Sequence, residues 1–120
     1  MMFSHEHPAI IDGPRTGIRF TSFLKRNAAF SLEDFGRYHL HEHAPLFAAQ
    51  PAVQRHVRRY VIAHRLPDSD EGHDGIVDFW FDDVAAIYAL FADPEYQKVM
   101  QPDEAKLLDL PACKVILTQA

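Results

Sequence analysis

The run Ile76-Val77-Asp78-Phe79-Trp80-Phe81 limits the folds open to this chain more than any other stretch. Its alternation is that of a strand, because successive side chains on an extended backbone point to opposite faces. Val77, Phe79 and Phe81 make one face wholly apolar, while Ile76 and Trp80 flank Asp78 on the other. A strand that is largely apolar on both sides has to be covered on both. It therefore belongs inside a sheet with helices on one face and a further layer on the second.

The remaining elements fit such a sheet. Residues 18–24 alternate, with Ile18, Phe20 and Leu24 on one face and Arg19, Thr21 and Phe23 on the other. A strand within residues 53–66 places His56, Arg58, Tyr60, Ile62 and His64 together, and residues 114–118 form a last strand. Ser31 stands where a helix N-cap belongs, with Asp34 completing a capping-box pattern and Glu33 adding charge in the first turn. Pro45 predicts that this helix stops or kinks at about Ala44, because proline lacks an N–H and its ring clashes one turn back. Asp82 and Asp83 can cap a second helix carrying Val84, Ile87, Tyr88 and Phe91 at helical spacing. Asp93-Pro94 starts a short third helix, and residues 101–109 read as another turn or short helix. Residues 67–75 are a polar, acidic loop.

The order βαββαβ predicts an α+β, ferredoxin-like domain with a four-stranded antiparallel sheet over residues 18–120. Its uncovered sheet face predicts a homodimer, sheet against sheet. Residues 1–17, rich in His, Pro and Gly without periodicity, read as an arm that is either disordered or laid over a partner. His5 and His7 in that arm resemble a metal pair, but solvated arm residues are the simpler reading.

Composition closes off several classes. A chain of 120 residues builds one domain, and a net charge of −5 argues against a nucleic-acid surface. The single cysteine, Cys113, excludes an intramolecular disulfide framework and suits a reducing compartment. No apolar run approaches the ~20 residues of a membrane span, and residues 1–17 lack a signal peptide's cationic start and apolar middle. The expected setting is cytoplasmic. No Gly-rich phosphate loop is present, and no cofactor is expected.

Chemistry concentrates in residues 31–50. At ~100° per residue, Leu32, Phe35, Gly36, His39, His43, Leu46 and Phe47 share the inward face, and Glu33, Arg37, His41 and Ala44 do not. Two imidazoles one turn apart on an apolar face suit proton transfer near neutral pH; the alternative is core histidines satisfied by backbone carbonyls. Asp78 is the expected carboxylate partner, if its strand face looks at this helix, and otherwise pairs with Arg26 or Arg58 within the sheet. Tyr60 and His56 can donate to a substrate oxygen, Arg26 can bind a carboxylate or enolate, and Trp80, Phe35 and Phe20 can wall an aromatic pocket or simply fill the core. His39, His43 and Asp78 would supply two nitrogens and an oxygen to a metal, but there is no His-Glu-x-x-His spacing and no metal is expected.

Several short runs then resemble one family. Phe23-Leu24-Lys25-Arg26, Ser31-Leu32-Glu33-Asp34-Phe35-Gly36-Arg37-Tyr38, His43-Ala44-Pro45-Leu46, Val77-Asp78-Phe79-Trp80-Phe81-Asp82-Asp83, Asp93-Pro94-Glu95-Tyr96 and Leu108-Asp109 occur in the order seen in the EthD family. The resemblance covers nearly all the chain beyond the arm. It implies a dimeric α+β barrel of ferredoxin-like protomers. Relatives in that superfamily include cofactor-free polyketide cyclases, muconolactone isomerases, hydroxynitrile lyases and haem-degrading monooxygenases. His43 matches the family's histidine motif, whereas His39 stands where the family usually has Trp.

Two classes of function are consistent with these features. The first is a cofactor-independent enzyme using His43, with His39 or Asp78, for proton transfer next to a carbonyl of an apolar, oxygenated or aromatic small molecule. Cyclase, isomerase, dehydratase and lyase reactions all fit. The second is a non-catalytic ligand-binding accessory or scavenger of an oxidative degradation pathway. A haem or metal monooxygenase is a third, weaker option.

Overall fold

The computed structural model describes residues 4–67 and 72–120, so the predicted 67–75 loop and the arm's start lie partly outside them. Strands β1 (Ser4–Glu6), β2 (Ile18–Leu24), β3 (Val57–Arg65), β4 (Gly75–Phe81) and β5 (Lys114–Gln119) form one antiparallel sheet in the order β1-β3-β4-β2-β5. The last four strands of that order are the ferredoxin-like set. The fifth comes from the arm. Ser4–Glu6 pairs with the outer edge of β3, and Ile11 bridges to Tyr60, so this stretch is laid on its own sheet rather than over a partner. Gly17 makes the turn into β2 at φ +85°, where a Cβ would fall 2.1 Å from the carbonyl oxygen of Phe81.

Helices cover one face: α1 (Leu32–Tyr38), a π turn (His39–His43), α2 (Ala44–Ala48), α3 (Pro51–His56), α4 (Val84–Ala92) and α5 (Pro94–Leu107). The Ser31 cap forms as expected, its hydroxyl accepting from the Asp34 N–H at 3.1 Å. The helix neither stops nor breaks at Pro45. A π turn lies immediately before it, closed by the Ala44 N–H on the carbonyl of His39, and this wider turn accommodates a proline within a continuous helical run. The extra residue also changes the phase of the helix beyond it. Ala44 turns inward and is fully buried, while Leu46 turns out and is 37% exposed, the reverse of a straight 3.6-residue count.

Strand β3 carries a similar irregularity. Residues 57 to 59 face only Phe81 and Trp80 of β4, a bulge that places one extra residue in β3 and resets its alternation. Val57, Tyr60 and Ile62 all enter the core as a result. His56 ends α3 and does not share a strand face with Tyr60, and Arg58 pairs with Asp82 at the surface. The core is built on Val77, Phe79 and Phe81 of β4, with the rings of Phe79, Phe47 and Tyr60 in mutual contact at centroid distances of 4.8 to 5.0 Å.

The predicted short helix after Asp93 and the turn after Gln101 are a single helix, α5, which runs through Pro102. Tyr96, Met100 and Leu107 are its buried positions. Among the described residues, no helix is long and apolar enough to cross a membrane.

Candidate active site

Between the helix face of the sheet and the helices lies a cavity of about 270 Å³. Its walls are mostly apolar, from Phe20, Leu24, Phe47, Val77, Phe79 and Phe91, and its polar groups come from His39, His43, Tyr60, Tyr96, Glu104 and Ser22. That is the composition of a small-molecule pocket, in a volume just below the usual ~300–1,000 Å³. Both inward histidines contribute, with His39 2% and His43 7% exposed, while His41 lies on the surface.

The carboxylate that holds His43 is Asp103, not Asp78. His43 Nδ1 donates to Asp103 Oδ2 at 2.7 Å, and the Tyr38 hydroxyl donates to Oδ1 at 2.5 Å. Burial pulls the Asp103 carboxyl up, but the hydrogen bonds from Tyr38 and His43 outweigh it and hold the group below its ordinary range. An ionised carboxylate only accepts, so the proton of neutral His43 is fixed on Nδ1. Nε2 is left as an open base on a residue that lines the cavity.

Glu104, the next residue on α5, accepts the Tyr96 hydroxyl at 2.8 Å, and burial pushes its carboxyl up. The Tyr60 hydroxyl has no hydrogen-bond partner among the described residues. Burial first, then the nearby Glu104 charge, pushes the phenols of Tyr60 and Tyr96 far up, so both remain donors at any working pH. The cavity thus joins one oriented base to one neutral, uncommitted hydrogen-bond donor, the Tyr60 hydroxyl. Cys113 also lines it, as a thiol rather than a thiolate, since burial raises its pKa.

His39 has different company. Its Nδ1 lies 2.9 Å from Nε2 of His64, whose Nδ1 lies 2.7 Å from Nε2 of His7. Burial, reinforced by His43, His64 and His7, holds the His39 imidazole well below its ordinary pKa, so it is neutral near pH 7. His7 is therefore not a solvated arm residue but the outer member of a bonded series.

The other expected site residues are dispersed. Asp78 faces away from the helices, because Val77 and Phe79 on either side of it face toward them; it accepts from Thr21 Oγ1 at 2.5 Å and lies 3.4 Å from Arg19 Nε. Trp80 shares that outer face, between the guanidinium groups of Arg19 and Arg59 at 5.9 and 5.8 Å from its ring centroid. Arg26 donates its backbone N–H to Asp74 and lies outside the cavity, as does His56. Phe35 is fully buried behind His39 and His64, with ring distances of 5.6 and 5.7 Å, and supports them from outside the cavity. Of the nine candidates, His39, His43, Tyr60 and Phe20 meet at the cavity. With Asp78 on the far face, the imagined third metal ligand is absent, and the described residues hold no group of three or more metal-ligating side chains suitably placed.

Asp103, Glu104, Tyr96, Tyr38 and His64 went unnamed as candidates in the sequence. A signal existed for the first three: on one uninterrupted helix, Tyr96, Met100, Asp103, Glu104 and Leu107 form a single stripe, an acidic pair set among apolar residues. Pro102 concealed it.

Comparison with known proteins places the chain, though not its site, in a family. No curated protein matches the sequence. Among solved structures, a dimeric protein of unknown function with a ferredoxin-like fold from Bacteroides fragilis is similar at 12% identity and TM-score 0.65, over 86% of this chain and 95% of that one. An EthD family protein from Bacillus halodurans is similar at 13% identity and TM-score 0.64, over 86% and 97%. SnoaB, a cofactor-independent oxygenase from Streptomyces nogalater, is similar at 16% identity and TM-score 0.54, over 86% and 91%. These likenesses establish the ferredoxin-like α+β fold. The EthD domain matches residues 27–111, which include α1, the π turn and α5. The chain belongs to the EthD domain family.

Proposed function

We propose that the protein is a cofactor-independent enzyme in which His43 moves a proton next to a carbonyl of an apolar, oxygenated or aromatic small molecule. The observation that carries this is the Asp103-bound imidazole of His43 on the wall of an apolar cavity. Nε2 takes a proton from the carbon beside the carbonyl, and the electron pair moves onto the carbonyl oxygen. The Tyr60 hydroxyl is the free donor placed to hold that oxygen as an enolate. Returning the proton at a different atom gives isomerisation, and expelling a leaving group gives dehydration or lyase chemistry. The rate factor expected of one such base is about 10²–10⁴.

Deuterium wash-in beside the carbonyl of a panel of small aryl ketones tests this by NMR. The protein should accelerate exchange for at least one ketone that fits the cavity, and His43→Ala should lose that acceleration while keeping its fold. Ketone binding without accelerated exchange would leave the second reading, a ligand-binding accessory protein, favoured by the same apolar walls. We also infer that the working form is a homodimer, sheet against sheet. The outer face carries Trp80, Ile76 and Phe23, and Ile116 beside them on β5 is 50% exposed. The Bacteroides fragilis structure is described as dimeric.

A further inference from the structure

We propose that His39, His64 and His7 form a proton relay joining the cavity to the surface. Each end opens to a different space. His39 lines the cavity, while His7 and His64 line a groove of about 720 Å³ between the arm, α1 and the end of β3. Between the ends, both nitrogens of His64 are engaged, Nε2 with His39 Nδ1 at 2.9 Å and Nδ1 with His7 Nε2 at 2.7 Å. His64 is fixed there by its place on β3 opposite Gly75 and by the edge of the Phe35 ring.

Two neutral imidazoles share a hydrogen bond only when one donates and the other accepts. Three in series therefore have two settings. In one, every ring carries its proton on Nδ1, and His39 presents a bare Nε2 to the cavity. In the other, every ring carries it on Nε2, and His39 presents an N–H. A proton arriving at His39 Nε2 passes Nδ1–H to His64 Nε2, His64 passes Nδ1–H to His7 Nε2, and His7 releases its Nδ1 proton to the groove. One proton enters, one leaves, and the series is left in its second setting. The reverse passage delivers a proton into the cavity and restores the first.

The surroundings keep the rings neutral between transfers. Burial, then the neighbouring His7 and His5, holds His64 at about 4, and burial with His5 and His41 also lowers His7. The groove end is faced by His5 of β1, His41 of the π turn, Glu33 and Arg37 of α1, and Arg65 of β3, and the cavity end by His43. The relay deepens the reading of the cavity as a proton-transfer site. His43, locked to Asp103, serves as base, while His39 supplies or removes the second proton.

The test needs no substrate, so the relay and the enzymatic reading can fail separately. In the full chain with isotope-labelled histidine near pH 7, NMR should find the three rings neutral with one shared tautomer and nitrogen–nitrogen coupling across both hydrogen bonds. Exchange of the His39 ring proton with water should slow by roughly tenfold or more in His64→Leu and in His7→Phe. His7 lies in the arm outside the core, so His7→Phe keeps the test decisive should His64→Leu not fold. A doubly protonated His64 near pH 7, or His39 exchange indifferent to His7→Phe, overturns the relay.

Discussion

His39 and His43 are one helical turn apart, both buried, and chemically unlike because of their partners. His43 is bound to a carboxylate that fixes its proton on Nδ1; His39 is bound to another imidazole, which fixes nothing. That contrast sets a prediction at this scale. Asp103→Asn keeps the shape, but an amide can donate as well as accept, so His43 can turn its proton onto Nε2 and lose the open base. Deuterium wash-in should fall by about 10² or more with little change in melting temperature. The inward pair was legible because i, i+4 spacing needs only one helix. Asp103 was not legible as the partner, since it lies 60 residues away and meets His43 only through packing. Asp78 is excluded by strand parity: its neighbours Val77 and Phe79 fill the core, so its carboxylate faces the other way.

At the scale of elements, the departures from expectation share a cause. A π turn before Pro45, a bulge between Val57 and Arg59, and a helix running through Pro102 each break a regular period locally while the wider packing keeps the element whole. The first and third involve prolines, whose missing N–H is a local penalty that neighbouring packing outweighs. Strands β2 to β5 and the helices capped at Ser31, Asp83 and Asp93 were legible because they depend on a few adjacent residues, whereas β1 and α3 were not read from the sequence. Helix α5 invites the direct test, since it presents Asp103 and Glu104. Asp93 caps it, its side chain accepting the Tyr96 N–H at 2.9 Å. Asp93→Ala should cost about 1 kcal/mol in denaturant unfolding, with loosened packing of Tyr96 visible in its near-ultraviolet signal.

For the whole molecule, the buried imidazoles predict an acid-sensitive fold. The folded-state values of His39 and His64 lie below the ordinary 6.5, that of His64 at about 4, so the unfolded chain binds protons that the folded chain refuses. Stability is full above about pH 6.5 and is lost as pH falls from there toward 4. Asp103, also lowered, adds loss in the same direction at still lower pH, and Glu104, raised, opposes it. The His64 share is roughly 2 kcal/mol after allowing for its partial contact with solvent. Melting temperature should therefore drop clearly between pH 7 and 5 and drop less in His64→Leu. Assembly has its own test: Ile116→Lys, at an exposed β5 position, should shift light-scattering mass from dimer to monomer without lowering the helical signal. The periodicities within this sequence determined a ferredoxin-like sheet with helices on one face and two histidines turned inward, because alternation, capping and helical spacing act between near neighbours. Only the tertiary structure decided that Asp103 rather than Asp78 grips His43, and that an arm histidine and a strand histidine extend His39 to the surface. Those contacts join residues 25 to 60 positions apart, and no local pattern encodes which of them meet.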